Sequence, residues 1–99
     1  MKQHLKGIGT RAADSIARWA AGNPHIRRAW LYGNFNVAVE LEPVGDSEET
    51  LAAWLAKAGL WRSQLQSRIS APVDLEWFDP DGGTALDEAR VLVYERAAD

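Results

Sequence analysis

An α/β domain with a mixed sheet of about four strands, and helices packed mainly on one face, is the fold this sequence predicts. Three features carry the prediction. Apolar residues recur at helical spacing over residues 11–21 and again over 51–69. Residues 36–42 (NVAVELE) alternate with a period of two, as a strand does. Two strand-like stretches meet across Gly33-Asn34, which reads as a tight hairpin, so the sheet is mixed rather than fully parallel. The elements follow the order α-β-β-α-β-α-β within a single domain spanning 1–99, with 1–10 as a flexible lead-in.

Taken in order, Thr10 can cap a helix over 11–21, with Ala12, Ile16, Trp19 and Ala20 on one face. Gly22-Asn23-Pro24 stops it. Residues 26–32 (IRRAWLY) form a strand, Ile26, Arg28, Trp30 and Tyr32 on one side and Arg27, Ala29 and Leu31 on the other. In the next strand Val37, Val39 and Leu41 point to the core, while Asn36, Ala38, Glu40 and Glu42 make a polar face. Asp46 and Glu49 form a capping box that opens a helix. Leu51, Trp54, Leu55 and Ala58 share its apolar face, and the stripe resumes as Trp61, Leu65 and Ile69 after Gly59, giving one bent helix or two in succession. Residues 73–78 (VDLEWF) are a third strand, and 79–83 (DPDGG) a turn. Thr84 with Asp87 can cap a short helix to about Arg90, and 91–94 close the chain as a short strand or packed tail.

Composition narrows the function classes. A hydrophobic fraction of 46% with 25% charged residues is ordinary for a globular chain and argues against disorder. The net charge of −3, with Arg27-Arg28 as the nearest thing to a basic cluster, gives no footprint for nucleic acid. The absence of cysteine excludes disulfides, zinc thiolates and a cysteine nucleophile. The N-terminal MKQHLKGIGT has no apolar region of a signal peptide, and no apolar run approaches the roughly 18 residues of a membrane span. A cytoplasmic location is the default expectation. Trp19, Trp30, Trp54, Trp61 and Trp77 all fall at inward-looking positions, which suits large aromatics filling a small core. A stacking platform for bases is the alternative use of such rings.

The strings Ala29-Trp30-Leu31-Tyr32-Gly33, Val37-Ala38-Val39-Glu40-Leu41-Glu42-Pro43 and Pro72-Val73-Asp74-Leu75-Glu76-Trp77 together resemble the minimal nucleotidyltransferases of the DNA polymerase beta superfamily. There a strand ends in Gly-Ser, the next carries Asp-x-Asp, and a third acidic residue follows in a Val-Asp-Leu context. The closing VLVYER of 91–96 is also similar to that family's ending, so the likeness runs from about Ile26 to Arg96. In the family the carboxylates hold two Mg²⁺ ions that neutralise nucleotide phosphates, and the Gly-Ser backbone approaches those phosphates closely. Aligned in this way, the two Asp positions fall on Asn34 and Asn36, Gly33 keeps the glycine, the serine and its loop are missing, and Asp74 supplies the third carboxylate.

The resemblance implies transfer of a nucleoside monophosphate from ATP with Mg²⁺. Gly33 and Asn34 would stand at the nucleotide, and Asp74, Asn36 and Asn34 at the metal. Two of three carboxylates have become amides that bring no charge, so the transfer it implies is weak or lost. Small proteins of this family also pair with helical HEPN-type ribonuclease toxins as antitoxins, and a non-catalytic binding role of that kind is the alternative. An edge strand at 91–94 would be the place for a second copy to pair in a homodimer.

Other residues give weaker signals. Glu40 and Glu42 could join Asp74 in a displaced carboxylate triad, or could be solvent-facing charges near a strand end. Asp74 has the same bland alternative beside Glu76. His4 and His25 have no third ligand in sight, Ser47, Ser63, Ser67 and Ser70 lack a hydrolase setting, and Gly7-Ile8-Gly9 follows no strand.

Overall fold

The structure is a computed structural model that describes residues 8–33, 35–78 and 91–97. Its elements are α1 (Ile8–Ala21), β1 (Ile26–Tyr32), β2 (Asn36–Leu41), α2 (Ser47–Ile69), β3 (Asp74–Trp77) and β4 (Val91–Glu95). Among the described residues the strands form one sheet in the order β3-β2-β1-β4. β1 runs antiparallel to β2 and to β4, while β2 and β3 are parallel across the α2 crossover. The mixed four-stranded sheet matches the expectation. The turn at 79–83 and the helix expected after Thr84 lie outside the described residues.

One sheet face meets both helices. Ile16, Trp19 and Ala20 of α1 and Trp61 and Leu65 of α2 pack on Ile26, Ala29, Val37, Val39 and Leu41. Leu65 is fully buried, so Leu65→Ala would cost about 2–5 kcal/mol. α1 begins at Ile8 rather than 11, so Thr10 lies inside the helix and is not its cap. Its end is as expected: Gly22 N donates to Arg18 O at 3.2 Å, and Asn23 N to Ala20 O at 3.0 Å.

Three expectations are corrected by the packing. The first concerns β1. Ile26 pairs with Leu41 and Arg28 with Glu40, so Arg27 is an extra, bulged residue. The bulge turns Ile26 onto the helix face with Ala29 and Leu31, leaving Arg28, Trp30 and Tyr32 on the other. Trp30 is therefore not part of the helix-side core. It stands opposite Ala38, with its ring edge-on to Phe78 at 5.1 Å between centroids.

The second concerns β2, whose outer face is not polar surface. Ala38 is fully buried and Glu40 is only 6% exposed, because β2 is a central strand with neighbours on both sides. The third concerns α2. It is one continuous helix through Gly59, beside which nothing lies within reach of a side chain. Its core face follows Trp54, Trp61, Leu65 and Ile69, whereas Leu51 is 42% and Leu55 70% exposed. Of the face assigned to Leu51, Trp54, Leu55 and Ala58, Trp54 reaches the core and Ala58 is half-buried, while Leu51 and Leu55 turn away from it.

The capping box at α2 is complete. Glu49 N donates to Asp46 Oδ1 at 2.9 Å, and Asp46 N to Glu49 Oε1 at 3.1 Å. Gly45 precedes it at φ +66°, and a Cβ there would collide with the Glu49 carboxylate. Four tryptophans run in line through the core. Trp19, Trp61, Trp54 and Trp77 follow one another at centroid spacings of 6.2 Å, and His25 lies 5.7 Å from Trp61. These rings fill space between the sheet and the helices, the bland reading of the sequence.

Candidate functional site

The hairpin that joins β1 to β2 sets the positions of the residues singled out by the resemblance. Tyr32 and Asn36 are the last register pair, and the chain reverses in residues 33–35. Gly33 has φ +57° and Phe35 φ +59°, both left-handed. Glycine takes that conformation freely, whereas a phenylalanine costs roughly 1–2 kcal/mol. The Phe35 ring packs against the core cluster, which offsets that cost. Asn34 lies outside the described residues.

Residues from distant parts of the sequence meet here. Asn36 on β2 is the register partner of Asp74 on β3, and Asp74 N donates to Phe35 O at 3.2 Å. In parallel strands such partners project from the same face, so the Asn36 amide and the Asp74 carboxylate are neighbours. Gly33, Asn36 and Asp74 thus share one end of the sheet. Asn36 is half-buried, Gly33 and Asp74 are exposed, and Asp74 takes part in no ion pair among the described residues.

The displaced triad does not assemble. Glu40 is four residues along β2 from Asn36, about 13 Å at strand rise, too far to share a metal ion with Asp74. Its carboxylate instead accepts from Arg28 Nη1 at 2.6 Å, and Arg28 Nε donates to Glu95 at 3.0 Å. Hydrogen bonding to Glu40, then to Glu95, and the Coulombic pull of Glu40 raise the Arg28 pKa above its ordinary value. Glu42 sits 3.8 Å from Arg96 Nε. Neither glutamate is simply solvent-facing.

Arg96 entered the sequence reading only as the end of the VLVYER string, with no role, yet it ties three segments together. Its guanidinium donates to Ile26 O at 3.1 Å, Asn23 O at 2.8 Å and Ala20 O at 3.4 Å, neutralising the carbonyl end of α1. Its sequence signal is only an arginine after a terminal strand. The contacts pair it with residues 70 to 76 positions away, which no local pattern encodes.

The donor set does not fit a two-metal centre. Asp74 offers one charge and Asn36 a neutral oxygen, and no group of three His, Asp or Glu among the described residues is placed to hold a metal ion. One carboxylate with an amide suits at most a single Mg²⁺ that keeps its water and nucleotide phosphate ligands. Clefts on the described surface also open elsewhere, three of them of sizeable volume. One, near 740 Å³, lies by Trp19, Asn23, Trp61, Gln64 and Arg68. A second, near 460 Å³, lies by Arg27, Glu40, Asp46 and Phe78, and a third, near 440 Å³, lies between the start of α1 and the end of α2. Among the described residues no helix is long and apolar enough to cross a membrane. Compared with known proteins, the chain matches no family model, no curated protein and no solved structure.

Proposed function

We propose that the chain is a nucleotidyltransferase-like domain in which transfer of a nucleoside monophosphate from ATP is weak or lost. The observation that supports it is the register pairing of Asn36 with Asp74 beside the left-handed turn at Gly33. Sequence positions 33, 36 and 74 meet at one sheet end, as a site of that kind requires. Gly33 would let the backbone approach phosphates, Asn36 would give a neutral oxygen, and Asp74 would carry the charge. With one carboxylate, affinity for metal-bound nucleotide outlasts the chemistry, because attack on the phosphate needs charge neutralisation that this donor set does not supply.

The test is a titration of Mg-ATP followed by tryptophan fluorescence, run beside a label-transfer assay with ATP labelled at the α-phosphate. Saturable binding, lost in Asp74→Asn and unaccompanied by transfer, is the expected result. Absence of binding at millimolar nucleotide would remove the nucleotide from the reading, and rapid transfer would remove the weakness.

A binding role toward a protein has its own support. Leu51 and Leu55 lie one helical turn apart on α2 and are 42% and 70% exposed, outside the core contact. A non-catalytic antitoxin that covers a helical HEPN-type ribonuclease would use such a surface. Co-expression with a ribonuclease of that class should give a complex that Leu55→Glu disrupts, and a complex indifferent to that change would discard this surface.

A further inference from the structure

β2 runs on past the parallel strand beside it. The last hydrogen bond between the two goes from Phe78 N to Val39 O at 2.8 Å, whereas β2 continues to Leu41. Successive residues of a strand turn their N–H and C=O groups to opposite edges. Asp74 N donates to Phe35 O and Phe78 N to Val39 O, so odd-numbered positions here face β3, while Glu42 N donates to His25 O on the β1 side. Leu41 thus directs its N–H and C=O past the end of β3, and among the described residues neither has a hydrogen-bond partner. Leu41 is 7% exposed, and a backbone pair left open at so buried a residue is uncommon in folded proteins.

Extending β3 would not close this edge. A parallel ladder carried one step further would bond the Leu41 C=O to the N–H of residue 80, and that residue is Pro80, which has none. Leu41 borders a cleft near 460 Å³ whose lining includes Pro43, Thr50, Trp77 and Phe78. Glu40 lines it too. One of its carboxylate oxygens accepts from Arg28, and the other has no partner among the described residues but is not sealed from solvent. Asp46 and Arg27 add one charge of each sign to the lining, and Arg28 is shared with Glu95. Three carboxylates against two guanidinium groups leave the surroundings acidic. The paired side chains fix this end of the sheet, and Leu41 is the backbone they leave open.

From this we infer that the cleft binds a short, basic, extended peptide of a partner protein, added to β2 in the place that β3 leaves. An extended peptide offers a C=O and an N–H along one edge, the complement of the open Leu41 pair. Its residue opposite Leu41 shares the helix-side face with that leucine, so the residues on either side of it project to the face of Glu40. Basic side chains at those two positions bring charge to the open carboxylate oxygen, and their apolar stems can lie along the aromatic lining. The cleft stands at the opposite end of β2 from Asn36, so the inference does not rest on the nucleotidyltransferase-like reading.

The experiment is amide hydrogen exchange and chemical-shift titration by NMR on the ¹⁵N-labelled full chain, with acetyl-lysyl-valyl-lysine amide as the probe. In the free chain the Leu41 N–H should exchange much faster than that of Val39, two residues back on the same edge. With the probe at saturation, Leu41 should shift and its exchange should slow by about tenfold or more. The same peptide methylated on its valyl and second lysyl nitrogens has no donor for the Leu41 C=O in either strand direction, and it should bind roughly tenfold more weakly. Acetyl-glutamyl-valyl-glutamic acid amide should also bind more weakly than the lysyl peptide. A Leu41 N–H as protected as that of Val39 in the free chain would overturn the inference, since the edge would then be closed without a partner. No saturable shift at Leu41 with millimolar probe would overturn it as well, and so would binding indifferent to methylation. Equal binding of the glutamyl peptide would refute the basic partner. If Mg-ATP fails to bind at the hairpin end while Leu41 still responds to the probe, only the nucleotidyltransferase-like reading falls.

Discussion

At the end of the sheet where β1 begins and β2 finishes, Arg28 holds Glu40 and Glu95, and Arg96 holds the carbonyls of Ala20, Asn23 and Ile26. Asp46 and Glu49 close the start of α2 at the same end. At the hairpin end, Asp74 stands exposed with no ion pair among the described residues, next to a half-buried Asn36 and two left-handed residues. One end has its polar groups matched by partners and so contributes to holding the elements together. The other keeps polar groups available beside a backbone that costs energy to hold. Unmatched polarity supported by a packed scaffold is the arrangement expected of a site, and matched polarity that of a joint.

Substitutions at the joint should therefore cost stability, and those at the hairpin should not. Arg96→Ala removes a guanidinium shared by three carbonyls, of which Ala20 O and Asn23 O keep a backbone donor, and a loss of about 1–3 kcal/mol is expected in urea unfolding. A loss below the error of the measurement would mean that water replaces the guanidinium and that the two ends are not so different. Asp46→Ala removes the side-chain half of the capping box, and about 1 kcal/mol should go with it. Measured at the same time, Asp46→Asn should retain most of that stability, since the amide oxygen still accepts from Glu49 N.

Asp74→Asn sharpens the contrast from the other side. With no ion pair to lose, its stability should stay within about 0.5 kcal/mol of the parent, while nucleotide binding disappears. A large loss of stability would make Asp74 part of the frame and not of a site. The smallest effect expected is that of alkaline pH on the Arg28 pair. The folded pKa of Arg28 is raised, so its contribution is fully present below the ordinary arginine value and is lost only as pH climbs through the higher folded one. Stability followed from neutral to moderately alkaline pH should show no step from this pair.

The two helices show how unevenly the fold was legible. In α1, Ala12, Ile16, Trp19 and Ala20 were expected to share a face, and all four are buried. That helix is short, meets the sheet along one stripe, and its local pattern has little room for ambiguity. In α2 the capping box was readable because it is made within four residues. The core face of this helix was legible in the second half, as Trp61, Leu65 and Ile69, but not in the first, where Leu51 and Leu55 were grouped with Trp54 because leucines and alanines recur around much of the helix. Only the position of the sheet and of α1 selects Trp61 and Leu65 for burial and leaves Leu51, Leu55 and Leu60 exposed. For the candidate site, Gly33 and Asp74 were legible as members of a pattern, and Asn36 by alignment with it. The Arg28–Glu40 pair was not, because the Arg27 bulge that puts both residues in register leaves no mark on the alternation.

The sequence by itself determined the local geometry. It set the helix end at Gly22, the reversal near Gly33, the alternation of β2 and the cap at Asp46, all from interactions within a few residues. Tertiary structure decided what depends on a partner distant in the chain. It made β2 a strand buried on both faces, turned Glu40 from a candidate ligand into the acceptor of Arg28, set Trp30 against Phe78, and brought Asn36 beside Asp74. The physical reason is one of range. Backbone conformation answers to neighbours along the chain, whereas burial and charge pairing answer to whatever the fold brings alongside.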